Sequence, residues 1–495
     1  MAGFSSTLAG RGQARRSAVN GSVPPGEAAD VVAVLELPPM LRVGSPLVIG
    51  NRMFWLQRKR CRAFLKDSLW VVPVTSMLAA LICAPLTRRL NYTLPFSFLD
   101  FGMQGARAAV GMIAASMLTF VVFFFSVLLV TVQIASGNLS PRIIARPFQS
   151  TVLKAALGLF VFTFTYGVAV LGRLEDQVLQ LPVFLTVLLS VASIGTFLFV
   201  VEFVGKELRP ATVVARVAQR GLQVIRSVYP LPLGAGAIPQ PSAGLHKESV
   251  CQLVRHEGSP GVVVAFDMER LFSLALKNQC TIELVPQVGD YVPPGGPLFR
   301  IRGGGRLIHA RELGHAITLG RERTMEQDPA FAFRIIVDIA DKALSPAIND
   351  PTTGVLAIDQ IQCLLQEVGE RDLSTGTVTD DRGQVRVVYR TPNWQDFVLL
   401  AVSEIRLYGA NSVQIMRRLR AMLDSLVAVL PPARAPFLQQ QLDLLQVAVE
   451  KAFVDPRDRR NATHADSQGL GGASSYVDRD VEVSFPNTPA HLRGA

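Results

Sequence analysis

The stretch AAVGMIAASMLTFVVFFFSVLLVTVQI, residues 108–134, contains no Asp, Glu, Lys or Arg and is the longest apolar run of the chain. A helix needs about 20 such residues to cross a hydrocarbon core of about 30 Å, because lipid offers no partner to an unpaired backbone group. Three further runs are mostly apolar and have no charged residue in their central portions, at residues 69–86, 152–171 and 181–204. The sequence therefore predicts four transmembrane helices within residues 51–228.

The composition fits a chain that lies partly in lipid and partly in water. Its mean hydropathy is +0.32 and 49 % of its residues are hydrophobic, yet nearly all the long apolar runs lie between residues 69 and 204. Many of the basic residues behind the net charge of +10 flank these runs, and no basic stretch is interleaved with aromatic residues that are expected to be exposed, so no nucleic-acid partner is expected. The five cysteines are scattered, unlike a disulfide framework or a zinc site.

The distribution of Lys and Arg around the spans predicts the orientation of the chain in the bilayer. Basic residues resist translocation and collect in the cytoplasmic loops. One side carries Arg52, Arg58, Lys59, Arg60, Arg62, Lys66, Arg142, Arg146, Lys154, Lys206, Arg209, Arg216, Arg220 and Arg226. The other side carries Arg88, Arg89, Arg107 and Arg173. We expect a multi-pass protein of the bacterial inner membrane with both termini in the cytoplasm.

Small residues recur at four-residue spacing on the second span, at Gly111, Ala115 and Thr119. This spacing places them on one helix face, where two membrane helices can approach closely. Four thin helices enclose little space, so a pore would require several copies of the chain. The sequence therefore predicts a homo-oligomer that packs through this face in the lipid bilayer.

Outside the spans the pattern becomes that of a globular protein. Residues 1–50 are predicted to be a disordered leader and residues 455–495 a disordered tail. Residues 229–247, rich in Pro and Gly, predict a linker. Short β-branched runs then predict a small β-rich module at residues 248–305, and helical periodicity predicts a helical domain at residues 306–454. The expected fold class is α+β: a four-helix transmembrane region followed by a cytoplasmic small β-rich module and an α-helical domain.

Within the β-rich module, VPQVGDYVPPGGPLFRI, residues 285–301, resembles the hairpin of biotinyl- and lipoyl-like domains. In those domains, glycine turns hold two strands at a fixed distance and an exposed Lys carries the cofactor. This stretch contains no Lys. A structural or gating module is therefore favoured, and no cofactor is expected.

Two Asp-Pro pairs mark the starts of two helices. Asp328-Pro329 and Asp350-Pro351 each precede an apolar run of helical period. Asp suits the N-cap of a helix and Pro suits its first position. The turn ALSPAIN, residues 343–349, should join the two helices. Three more helices are predicted near residues 394–408, 412–430 and 435–453.

The polar residues beside these helix starts form the predicted functional locus. They are Arg321, Glu322, Arg323, Gln327, Asp328, Ser345, Asn349, Asp350 and Thr352. If residues 321–328 fold back along the first helix, the free N–H groups at the start of the second helix would lie beside arginines and form a pocket for a small anion or carboxylate. The alternative is structural: Asp350 only caps its helix, and the arginines only pair with Glu322 and Asp328.

The stretch GRERTMEQDPAFAFRIIVDIADKALSPAINDPTTG, residues 320–354, is similar to a bacterial family of predicted membrane proteins, domain of unknown function 2254. Its most specific part is SPAINDPTT, residues 345–353, and the resemblance covers about residues 53–453. Gly354 departs from the family pattern, in which Ala is expected at that position. The resemblance implies an inner-membrane protein and carries no established activity.

Two classes of function remain open from the sequence. Multiple spans with weakly polar faces and an appended domain fit an oligomeric channel or transport-related protein. The same features fit a membrane-anchored sensor or scaffold that binds a partner or a small anionic ligand. An enzyme is less expected, because Ser345 has no nearby His to activate it and the chain contains no P-loop, dinucleotide or metalloprotease motif. No catalytic residue and no metal site is assigned.

Overall fold

The computed structural model describes residue 68 and residues 70–93, 101–138, 150–174, 178–207, 209–234, 250–304, 307–373 and 376–471. The predicted leader, most of the predicted linker and the end of the predicted tail lie outside the described residues. So do the basic residues before the first span and in the loop between the second and third spans.

Four helices are long and apolar enough to cross a membrane. They are α1, Val71–Thr93, α2, Met103–Asn138, α3, Thr151–Leu171, and α4, Gln180–Glu207. Each coincides with one of the four apolar runs, which confirms the predicted spans. Large side chains such as Ile82, Met112 and Leu198 are more than 60 % exposed. Such surfaces suit lipid tails, because the backbone groups behind them are already paired within the helix.

Helix α3 is the centre of the membrane region. It contacts α1, α2 and α4, and half of its spanning window is buried, against 11–22 % for the other three helices. Phe160, Tyr166 and Val183 fill the interior and are at most 1 % exposed. Thr163 and Ser193, both fully buried, share a hydrogen bond of 3.2 Å between their hydroxyls. In the part of the chain described here, the interior of one copy is packed with side chains.

A helical domain begins almost immediately after α4. Its helices are α5, Pro210–Val228, α8, Pro329–Ala343, α9, Pro351–Gly369, α10, Trp394–Tyr408, α11, Val413–Val429, α12, Ala435–Ala452, and α13, Pro456–Thr463. Apolar residues from all seven form one continuous core. The two Asp-Pro helices and the three helices predicted after them are confirmed. Helix α5 was predicted within the transmembrane region, but it belongs to this core.

The placement of α5 follows from its amphipathic sequence. Val214 and Ile225 lie on one face and are completely buried, whereas Arg220 and Arg226 lie on the other face and are exposed. A helix with one apolar stripe needs a protein core rather than lipid on all sides.

Two small sheets complete the domain, together with the short helices α6, Met268–Lys277, and α7, Ala310–Gly314. The strands are β1, Val250–Arg255, β2, Gly261–Phe266, β3, Thr281–Leu284, β4, Tyr291–Val292, β5, Pro297–Arg302, β6, Ile317–Gly320, β7, Thr377–Thr379, and β8, Val385–Val388. One sheet has the order β1-β5-β3-β8-β7 and the other β4-β2-β6. The β-rich module therefore extends beyond residues 248–305, since β6, β7 and β8 come from the region predicted to be helical. Only β3 and β8 pair in parallel among the described strands.

The helix directions define two ends of the C-terminal domain. Helices α5 and α9 run parallel, because Gly221 packs on Leu364 and Arg226 pairs with Glu367 at 2.9 Å. Helix α8 precedes α9 in a helical hairpin and runs opposite to both. The start of α5 follows α4 directly, so the turn between α8 and α9 lies beside the membrane region. We call this end of the domain the membrane-proximal end; α2 also contacts α8.

Helix α10 runs parallel to α8. The rings of Phe333 and Phe397 lie 5.3 Å apart near the starts of the two helices, and Arg334 pairs with Glu404 further along. Both helices therefore begin at the membrane-distal end and finish at the membrane-proximal end.

The segment from Asp455 to Gly471, predicted to be disordered, is folded. After α13 the chain wraps around Arg417, which is 2 % exposed and donates to Asn461 Oδ1 at 3.1 Å and to the carbonyl of Gly471 at 3.1 Å. Asp466 accepts the N–H groups of Gly469 and Gly471 at 3.0 and 2.8 Å. Local polarity predicted disorder here, whereas these non-local hydrogen bonds order the segment.

Candidate functional site

The turn between α8 and α9 is shaped by its own hydrogen bonds. Ser345 Oγ donates to the carbonyl of Lys342 at 2.7 Å, and the N–H of Asp350 donates to the carbonyl of Ala343 at 2.8 Å. Asn349 has a φ of 49°, a left-handed conformation that Asn tolerates better than most residues. Ser345 and Asn349 thus have structural roles in this turn.

Asp350 caps α9, as predicted. Its Oδ1 accepts the N–H of Thr353 at 3.1 Å and its Oδ2 accepts the Thr353 hydroxyl at 2.5 Å. Pro351 occupies the first helical position, and Thr352 is exposed. Because both carboxylate oxygens of Asp350 are engaged within the chain, the geometry favours the structural reading of this residue.

Asp328 caps α8 and is also the partner of Arg323. Its Oδ1 accepts the N–H of Phe331 at 3.1 Å, and its Oδ2 forms an ion pair with Arg323 Nε. The Asp328 side chain is only 2 % exposed. Burial raises the pKa of the Asp328 carboxyl, while Arg323 and the N–H of Phe331 lower it.

Gln327 fixes the segment before α8 to the β-rich module. Its side-chain amide accepts the N–H of Phe266 at 3.0 Å and donates to the Phe266 carbonyl at 3.2 Å, as a neighbouring strand would. Arg321 and Glu322, further upstream, are exposed. This segment is therefore fixed at the membrane-distal end of the domain.

The two halves of the predicted locus do not meet. Helix α8 has 15 residues, a length of about 22 Å at about 1.5 Å per residue. Arg323 and Gln327 lie at its start, whereas Ser345 and Asn349 follow its end. The prediction that residues 321–328 fold back along α8 is wrong, because Gln327 binds β2 and Arg323 binds Asp328 instead.

Arg323 lines a cleft between the β-rich module and the helical layer. The cleft has a volume of about 320 Å³ and is lined by Gln287, Arg323, Ala330, Arg390, Pro392, Asp396, Phe397 and Leu400. These residues come from the β3–β4 connection, the starts of α8 and α10, and the chain before each of these helices. One predicted residue is thus in a cleft, but it faces the start of α10 rather than the start of α9.

Gly289 makes room for Arg323 beside this cleft. Its φ is 95°, and a Cβ at this position would lie 2.5 Å from Arg323 Cζ. Both the backbone conformation and the close approach therefore require glycine. Arg323 Cζ also lies 5.7 Å from the ring centre of Phe331, within cation–π range. The arginine is held in one place by Asp328, Gly289 and Phe331.

Arg390 is the second cation of the cleft. It is exposed and makes no ion pair with any residue that the structure describes. Asp396 is the one acidic residue of the lining, and its Oδ2 accepts the N–H of Asn393 at 2.9 Å in a capping box. The Pro392 carbonyl accepts the hydroxyl of Tyr229 at 3.3 Å, and burial raises the pKa of that hydroxyl.

Sequence reasoning missed most of this cleft. The capping box of α10 was visible in the pattern Asn393-Trp394-Gln395-Asp396, and Arg390 stands just before it. No local signal connects this stretch with Arg323 or Gln287.

A second charged cluster lies between α8 and α10. Arg334 and Asp338, four residues apart on α8, form an ion pair with Nε and Oδ1 2.6 Å apart. Arg334 also pairs with Asp341 at 3.3 Å and with Glu404 at 2.7 Å. Burial and then Glu404 raise the pKa of Asp341 to about 8, while hydrogen bonds from Arg334 and Asp341 lower the pKa of Glu404 to about 2. Near neutral pH the two carboxyls therefore share one proton.

The small-residue face of α2 points away from the rest of the chain. Ala115 and Thr119 are exposed, and a Cβ on Gly111 would meet nothing within 4 Å. Ala114 and Met117, on the other face, are buried instead. The three predicted packing residues therefore make no close helix contact within one copy, among the residues that the structure describes.

The chain is similar to a family of predicted membrane proteins and to uncharacterized mycobacterial proteins. The family model described as "Predicted membrane protein (DUF2254)" matches residues 66–425. The uncharacterized protein Rv1290c of Mycobacterium tuberculosis strain H37Rv is 26 % identical over 448 residues, covering 87 % of this chain and 84 % of that protein. The uncharacterized protein Mb1321c of Mycobacterium bovis has the same identity and coverage. No solved structure matches the chain.

Proposed function

We propose a function for this chain, which belongs to the predicted membrane protein family DUF2254. The proposal is that it is a membrane-anchored sensor whose C-terminal domain binds a small ligand with an anionic group. The observation that carries the proposal is Arg390, a cation that forms no ion pair with the described residues and lines a cleft of about 320 Å³ together with Arg323. Guanidinium groups are well suited to carboxylate and phosphate oxygens.

The cleft also suits an apolar body attached to the anionic group. Ala330, Phe397 and Leu400 supply apolar surface, and Gln287 adds a polar amide. Asp396, in the first turn of α10, would repel a second negative charge on the ligand, so a ligand with one compact anionic group fits best. Arg323 is preorganised by Asp328 and costs little ordering on binding.

The ligand would act on the helices that reach the membrane region. The cleft lies at the starts of α8 and α10, and both helices end at the membrane-proximal end. A ligand that binds Arg323 while Asp328 holds it would act directly beside the residue that caps α8. This coupling route is part of the proposal.

The proposed location is the bacterial inner membrane, with both termini and the C-terminal domain in the cytoplasm. Lys206, Arg209 and Arg216 lie where the chain leaves the membrane region towards this domain, whereas Arg107 and Arg173 lie at the opposite end of the bundle. This asymmetry supports the orientation. Reporter fusions that are active only in the cytoplasm should be active after residue 240 and inactive near residue 91; the reverse pattern would overturn the orientation.

An oligomeric channel is the second candidate, favoured by the outward-facing stripe of Gly111, Ala115 and Thr119. The packed interior of one copy speaks against a pore within it. Purified protein in liposomes should carry no ion flux if the sensor proposal holds. Flux that disappears with Gly111→Leu would favour the channel instead.

Ligand binding is tested by calorimetry on the full chain in detergent, with inorganic phosphate, benzoate and phenyl phosphate as probes. Loss of one charged hydrogen-bonding group should weaken binding about ten- to a hundredfold. Arg390→Ala should show this loss, and Arg382→Ala, an exposed arginine of the β7–β8 turn, is the matched control. Equal binding by the two variants, or no binding of any probe by the wild type, would refute the proposal.

A further inference from the structure

The membrane-proximal end of the C-terminal domain carries a group of exposed apolar side chains. They are Ile348 at 39 %, Leu407 at 64 %, Tyr408 at 56 %, Val454 at 87 % and Leu470 at 76 % exposed. Ile348 lies in the turn between α8 and α9, and Leu407 and Tyr408 close α10. Solvent-facing residues of this kind rarely gather at one end of a domain without a partner.

The helix directions place Val454 and Leu470 at the same end. Helix α11 starts there, since Ile415 packs against Gly354 at the start of α9. Helix α12 runs back along α11, with Arg420 bonded to Gln446 at 3.1 Å, so Val454 follows its membrane-proximal end. Gly469 packs against Val355, in the first turns of α9. Four separate segments thus bring apolar residues to one end.

A very short connection ties this end to the membrane region. Only residues 208 and 209 separate α4 from α5. The ion pair of Arg216 with Glu207 joins the second turn of α5 to the last turn of α4. The domain therefore has little freedom to move away from the bilayer, and its membrane-proximal end must lie close to the headgroups.

Exposed basic residues accompany the apolar group. Arg209, Arg457 and Arg460 are exposed and have no ion pair with residues in the described ranges. Asp455 is engaged as the N-cap of α13, and Asp458 is the other acidic residue of that helix. Apolar side chains with nearby Arg are the combination by which peripheral segments bind anionic membrane surfaces, and Tyr is favoured at the interface.

We propose that the membrane-proximal end of the C-terminal domain rests on the anionic lipid headgroups of the same bilayer that α1–α4 cross. Leu407, Tyr408 and Val454 enter the interface, and Arg457 and Arg460 bind lipid phosphates. The contact fixes the domain at a defined angle to the spans.

The test uses the full chain in nanodiscs, with its five native cysteines replaced by alanine and an environment-sensitive dye on one introduced cysteine. Leu407→Cys and Val454→Cys report on this end, and Val429→Cys is the control, because Val429 is 57 % exposed at the opposite end of α11. Spin-labelled lipid should quench the dye several-fold more strongly at residues 407 and 454 than at residue 429. Equal quenching at all three positions would overturn the proposal.

A second measurement needs no cysteine variant. Hydrogen exchange of the wild-type chain around residues 344–350 and 453–460 should be slower in nanodiscs of phosphatidylcholine with phosphatidylglycerol than in phosphatidylcholine alone. Arg457→Glu combined with Arg460→Glu should remove the difference. If exchange is the same in both lipids, the anionic headgroup is not the partner.

Discussion

The carboxyl pair of Asp341 and Glu404, between α8 and α10, makes the stability of the domain depend on pH. Asp341 and Glu404 both contact Arg334, and one proton is shared between them near neutral pH. Asp341→Asn keeps the shape of the protonated acid, and its amide can still donate to Glu404. The substitution therefore removes the titration with little change in packing.

The sign follows from the raised pKa of Asp341. The folded chain holds a proton on this carboxyl up to about pH 8, whereas the unfolded chain releases it near pH 4. The contribution of Asp341 to folding stability is thus fully present below the unfolded pKa and is lost as pH rises towards 8. One proton corresponds to about 1.4 kcal/mol per pH unit, or about 2.7 kcal/mol between pH 5 and 7. Glu404 titrates in the opposite sense, with a pKa lowered from 4.5 to about 2, below this window.

The assay compares urea unfolding of wild type and Asp341→Asn at several pH values, followed by the fluorescence of Trp394, which is 6 % exposed. Near pH 5 the two proteins should have the same free energy of unfolding. At higher pH the free energy of unfolding of the variant should exceed that of the wild type by about 1.4 kcal/mol for each pH unit above 5. Asp443→Asn, an exposed carboxyl on α12, should leave the wild-type slope unchanged. A variant whose stability tracks that of the wild type from pH 5 to 8 would refute the shared proton.

Three further substitutions test other parts of the structure. Gly289→Ala should destabilise the domain by at least about 1–2 kcal/mol, since alanine resists the left-handed conformation and displaces Arg323; urea unfolding measures it. Arg417→Met should cost about 2–4 kcal/mol and expose residues 456–471 to limited proteolysis, because buried acceptors lose their donor; unchanged cleavage would contradict this. Gly111→Leu should weaken self-association in native mass spectrometry without unfolding the monomer, whereas Gly158→Leu should disrupt the bundle, since a Cβ there would lie 2.9 Å from Ser76.

Local signals were sufficient for the four spans and for the helices that begin at the Asp-Pro pairs. The four spans follow from the length of uninterrupted apolar sequence, and the Asp-Pro pairs marked the starts of α8 and α9, because a cap acts within its own first turn. Where the partner lies far along the chain, these signals fail. The parallel pairing of β3 with β8 and the burial of Arg417 beneath residues 461–471 depend on such partners.

Helix α5 shows that the predicted end of the transmembrane region, at residue 228, lies too far along the chain. The pattern of residues 206–228 predicts a helix that continues out of the membrane, and α5 is that helix, but the boundary was drawn after it rather than before it. Its stripe of Val213, Val214 and Val217 alternates with arginines, and this is the pattern of a helix that packs on a protein core. The distribution of apolar and charged residues around this helix, rather than its position after α4, would have assigned it to the C-terminal domain.

The predicted anion pocket paired Arg323 with the wrong helix start, and the topology explains why. In a helical hairpin, the second helix begins where the first one ends, so the residues before α8 are a whole helix length from the start of α9. They can reach the start only of a helix that runs parallel to α8. Helix α10 does so, as the contacts of Phe333 with Phe397 and of Arg334 with Glu404 require. An arginine that precedes one helix of a hairpin should therefore be paired, in a sequence-based prediction, with the next parallel helix rather than the next helix along the chain.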